Sequence, residues 1–106
     1  MRSQIAELAA LGTFPHELDA TVVDVSNREE LLRQIVPPVA EDEARTLLPL
    51  FGEDDFWGLA WSLVHLIETA PGWPYWDAID DESNRWHVML KKRSINAGDR
   101  PPDVAR

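Results

Sequence analysis

The sequence predicts an all-α domain, a small bundle of about five helices around a buried central one near residues 55–69. Capping residues and helix-ending Gly or Pro recur along the chain, and apolar residues repeat at helical spacing. The stretch Phe56–Ile67 is apolar around most of its circumference, which marks a helix enclosed by others.

Ser3 is a candidate N-cap for a first helix carrying Ile5, Leu8 and Leu11 on one side, and Gly12 ends it. The β-branched Val22, Val23 and Val25 fit a strand, yet Val22, Val25, Glu29, Leu32 and Val36 also continue one helical face. Ser26 and Glu29 have capping-box spacing, so a second helix is expected over 27–35, with a start as early as Asp19 left open. Pro37 and Pro38 stop it, since the first proline disfavours α geometry at Val36. A third helix runs from Val39 or Ala40 to Phe51, with Glu41, Asp42 and Glu43 at its positive end. Pro49 predicts a kink or a last turn of different geometry there, and Gly52 is expected as the closing glycine. Asp54 or Asp55 should cap the fourth helix, which Pro71 cuts off. Trp57 and Trp61, four apart on it, are expected in the core, where truncating Trp61 to Ala would cost about 3–5 kcal/mol. Gly58, Ser62, His65 and Thr69 form a narrow stripe, suited to a close helix neighbour or a polar face. After a proline-punctuated loop and one possible helical turn, Ser83 is expected to cap a last helix over 84–96. The domain is thus expected to span 1–98, with 99–106 a disordered tail.

Charge is unevenly spread. Residues 1–84 carry 17 acidic and four basic side chains (−13), and residues 85–106 carry two and six (+4), which sum to the net −9. From Thr46 to Asn84 there is no Lys or Arg. Such a balance repels phosphate backbones and argues against nucleic acid or anionic membrane as ligand. The chain has no cysteine, which removes disulfides, thiolate metal sites and Cys nucleophiles. Its start lacks a signal-peptide pattern and no stretch approaches the roughly 20 apolar residues of a membrane span, so a cytoplasmic setting is expected.

Motifs for chemistry are sparse. His65 and Glu68 share a helix face, but His-x-x-Glu reverses the Glu-x-x-His order of di-metal bundles and occurs once. Glu53-Asp54-Asp55 has a local use as helix cap. DAIDDESNRWHV lacks the central Gly and closing Glu of a calcium loop. Ser62 has no Gly-x-Ser-x-Gly elbow, and no phosphate-cradling loop is present. Neither an enzyme nor a cofactor or metal is expected. What remains is the aromatic and acidic edge GWPYWDAIDD. Trp73, Tyr75, Trp76, Asp77, Asp80 and Asp81 are the candidate partner-binding residues, because aromatic anchors carry interface energy and carboxylates steer a basic partner. The same aromatics also suit a lid over the core.

The block LFGEDDFWGLAWSLVHLIETAPGWP resembles one in short, acidic bacterial proteins to which no activity is attached, and the likeness runs from about Val39 to Trp86. It implies a bacterial, cytosolic setting and nothing on mechanism. Three roles follow as expectations. The first is a helical module binding a protein partner, with toxin neutralisation by an immunity-type protein as one version. The second is a small-molecule or metal-binding protein using His65 and nearby carboxylates. The third is a self-associating protein whose basic last helix meets the acidic face of another copy.

Overall fold

The computed structural model describes residues 1–99, and the tail expected to be disordered lies, from Arg100 on, outside the described residues. Five α-helices follow in order: α1 Ser3–Leu11, α2 Val22–Gln34, α3 Glu41–Leu47, α4 Leu59–Ile67 and α5 Arg85–Asn96. Two 3-10 turns, Leu48–Leu50 and Trp76–Ile79, complete the architecture, with no strand among the described residues. The all-α reading holds. No helix among those residues is long and apolar enough to cross a membrane.

α4 is the centre, burying Leu59, Ala60, Leu63, Val64, Leu66 and Ile67. α2 and α3 pack directly against it, α1 lies across α2 and α3, and α5 sits beside the second 3-10 turn. Trp86 fastens α5 to this centre. Its ring stacks on Phe51 at 5.6 Å, and its indole N–H donates to the Asp54 carbonyl at 3.1 Å. His87 completes the seam, one ring nitrogen lying 2.8 Å from the Leu48 carbonyl.

Several boundaries differ from expectation for identifiable reasons. α2 starts at Val22, about one turn before Ser26, because Thr21 and Asp24 form the capping box: each side chain takes the other's backbone N–H. Val22 and Val23 are therefore helical, not strand. The α5 cap is Asn84, whose side chain accepts from the Trp86 and His87 amides, while Ser83 turns back onto Asp81. Arg2, not Ser3, stands at the start of α1. Pro49 produces the expected change of geometry, a 3-10 turn ending α3. Gly52 acts through space rather than backbone hand: a Cβ there would lie 2.2 Å from the Phe14 carbonyl oxygen. That approach holds the loop before α2 against the end of α3, and the Phe14 amide donates to Leu50 across it at 2.8 Å.

The largest correction concerns the start of α4. Phe56, Trp57 and Gly58 all adopt positive φ, at 49°, 52° and 86°, so the helix begins only at Leu59. Phe56 turns fully inward onto Phe14 (5.1 Å between rings), while Trp57 turns out and is 53% exposed. Trp61 is 40% exposed, its edge against Trp86 at 5.2 Å. Neither tryptophan is core. Helix α4 buries one broad face instead of its whole circumference, and Ser62 and His65 lie on the side that meets solvent.

Two buried charges link the helices. Arg28, on α2, lies over the rings of Phe14 and Phe56 and donates to the Leu11 carbonyl at 3.0 Å; burial lowers its pKa. Glu43, on α3, accepts from the Ala40 amide (2.9 Å) and the Arg2 amide (3.1 Å), with the Arg2 guanidinium at 3.3 Å. Burial pushes Glu43 up, but these donors and the Arg2 charge outweigh it and hold it below its ordinary value of 4.5.

Two measurements follow. In urea melts Phe56→Ala should cost about 3–5 kcal/mol and Trp61→Ala only about 1–2 kcal/mol, a reversed order meaning that Trp61 is the buried ring. Glu43→Gln should cost about 1.5–3 kcal/mol near neutral pH, where a charge-assisted network is lost. Because the folded pKa lies below the unfolded one, this stability is present above pH 4.5 and disappears as pH falls through the lowered value. Wild type and variant should therefore converge in acid; a constant gap across pH would remove the charge from the explanation.

Candidate functional site

The GWPYWD edge leaves α4 through a turn at Pro71 and Gly72 and ends in the 3-10 turn Trp76–Ile79. Tyr75, which suited either partner binding or a lid over the core, is only 5% exposed, and its hydroxyl donates to the Pro71 carbonyl. Trp73 stands edge-on to it at 5.4 Å, and the Arg45 guanidinium covers its ring at 4.8 Å. Burial raises the Tyr75 pKa. Trp73 and Trp76 are half-buried against the core. Tyr75 is thus a lid residue, and the two tryptophans offer only parts of their rings.

The carboxylates of this edge already have partners. Arg45 holds both oxygens of Asp77, at 2.9 and 3.3 Å, while its Nε–H donates to Glu41. That hydrogen-bonded pair lowers Asp77 and raises Arg45. Asp80 is 3.6 Å from Lys91. Asp81 accepts from the Ser83 amide and hydroxyl, which lowers its pKa. Arg93 of α5 forks onto Glu68 of α4 with two bonds of 2.8 Å. Part of the charge asymmetry closes within the molecule, the basic last helix pairing with Glu68 and Asp80 of the acidic middle.

His65 is exposed on α4, and Glu68, its expected partner, is taken by Arg93. Among the described residues no group of three His, Asp or Glu is placed to hold a metal ion.

A second surface was not singled out in the sequence. Leu18, Val22 and Val23 are 89%, 81% and 63% exposed. Val22 and Trp57 line an open groove of about 320 Å³ together with Ala20, Thr21, Val25 and Ser26, and Leu18 and Val23 lie near them in the chain. The strained backbone that turns Trp57 outward is held by two carboxylates crossing between segments. Glu17 accepts the Trp57 amide at 2.8 Å, and Asp54 accepts the Glu17 amide at 2.9 Å and the Phe56 amide at 3.1 Å. Two successive non-glycine residues at positive φ persist only where surroundings over-determine them. Sequence signals for this arrangement exist in Gly58 after Asp-Asp-Phe-Trp and in the T-x-x-D box at Thr21. The even spacing of Trp57 and Trp61 pointed instead to a continuous helix.

Two residues of the GWPYWD edge predict different responses to substitution. Asp77→Asn should leave the urea midpoint almost unchanged, because the pair is exposed and solvent-screened. Tyr75→Ala should cost about 3 kcal/mol or more, as truncation of a buried aromatic does. A free-standing edge would tolerate both. No family model, curated protein or solved structure matches the chain.

Proposed function

We propose that this is a small acidic interaction module that binds a protein partner carrying a basic surface. The observation that supports it best is the pairing of exposed apolar side chains with carboxylates that no cation neutralises. Among the described residues Asp19, Glu53, Asp55 and Glu82 have no Lys, Arg or His within salt-bridge distance. Apolar and aromatic side chains supply binding energy on desolvation, and unpaired carboxylates steer a cationic partner and reject anionic ones. A protein that neutralises a basic toxin is one version of this role.

The expected behaviour is salt-sensitive capture. Immobilised protein should retain predominantly basic proteins from a host extract at low ionic strength and release them well above about 0.1 M salt, where the screening length is about 10 Å. Retention of DNA or RNA through moderate salt, or of acidic proteins as readily as basic ones, would overturn the proposal.

A further inference from the structure

The surface around Trp57 is specific enough to name what fits it. We infer that the groove lined by Ala20, Val22, Val25 and Trp57 receives a basic amphipathic helix of a partner protein. This rests on the interaction role proposed above and commits it to one face.

The groove has an apolar floor and an acidic border. Ala20, Val25 and Trp57 line it, and Val22 stands at its lip with most of its surface in water. Leu18, two residues before Ala20, is still more exposed, at 89%. Glu17, Asp19, Asp24 and Asp55 adjoin these residues in the chain. Arg28, 4.0 Å from the Asp24 carboxylate, is only 5% exposed and donates to the Leu11 and Asp24 carbonyls, so it offers little positive charge at the surface. A ligand approaching this face meets negative charge outside and hydrocarbon within. The complementary surface is an apolar stripe flanked by Lys or Arg.

Helical form follows from the backbone. Among the described residues there is no strand, so an extended peptide finds no ladder to join. A helix satisfies its own amides and can lay a side-chain stripe on apolar ground. A second copy of this chain fits poorly, because a two-fold contact would set the same carboxylates against each other. The backbone gives independent support. Phe56 and Trp57 hold left-handed conformations that cost energy, stabilised by the Glu17 and Asp54 clamps, and the outcome is one exposed tryptophan on a rigid mount. A pre-positioned aromatic loses little freedom on binding, which is what an interface anchor requires.

The test is titration of the isotope-labelled protein with a Leu/Lys amphipathic helical peptide at low salt, followed by amide and indole NMR shifts. A Leu/Glu peptide of the same pattern is the control. Shifts should concentrate at residues 16–26 and 54–58 and include the Trp57 indole. Trp57→Gly should weaken binding about tenfold or more, as loss of an aromatic anchor does. Glycine adopts positive φ without strain, so that variant keeps the fold and lost binding cannot be blamed on unfolding. Binding mapped to Trp73 and Trp76, or unaffected by Trp57→Gly, would overturn this face while leaving the interaction role standing. Equal binding of the Leu/Glu peptide would remove the charge argument. Concentration-dependent dimerisation abolished by Trp57→Gly would make a second copy the occupant and overturn the inference. No binding of the Leu/Lys peptide at all would sink both this face and the general proposal.

Discussion

Everything in this molecule is arranged around the need to cover one face of α4. Six of its nine residues are buried, and no other helix in the chain is comparably apolar. α2 is largely polar and reaches the core fully only through Arg28 and Leu32, so it must bury a guanidinium to cover its share. That charge is tolerated because aromatic faces and two carbonyls receive it. Glu43 answers the same demand on the other side, where Arg2 ties the start of the chain to α3. A small core is thereby extended by buried polar groups whose hydrogen bonds reach across the chain, from Arg28 to Leu11 and from Arg2 to Glu43.

Charge placement obeys a second constraint. With no Lys or Arg between Thr46 and Asn84, those carboxylates of the middle segment that meet an Arg or Lys meet one from outside it. Arg45 reaches forward to Asp77, and Lys91 and Arg93 reach back to Asp80 and Glu68. Two of the last helix's four cations are thus used in closing the fold. The carboxylates that stay unpaired include Glu53 and Asp55 before α4 and Asp19 before α2.

Those two segments meet at Trp57. The Glu17 and Asp54 clamps join them by backbone amides, bury Phe56 and expose its neighbour. One acidic cluster therefore serves two ends: its hydrogen bonds hold a strained turn, and its charge colours the surface that the turn presents. An ordinary helix start, capped by Asp54 with Trp57 on the inner face, would have provided a larger core and no such surface.

The sequence by itself determined the helical class, the number of helices among the described residues, the central place of α4, the proline-driven change at the end of α3 and the ending of α1 at Gly12. These follow from local periodicity and from residues whose backbone limits act within a few positions. The tertiary structure decided which of two plausible caps starts α2, why Gly52 is glycine, and which tryptophans are inside. Tyr75 and Asp77 looked equally available on one loop, yet Arg45, 32 residues before Asp77, covers the first and pairs with the second. Trp57 and Trp61 share a face only if the helix begins before them. Whether it does is settled by Glu17, 40 residues earlier in the chain than the Trp57 amide it accepts. Periodicity reads neighbours along the chain, while exposure is set by partners brought together across it.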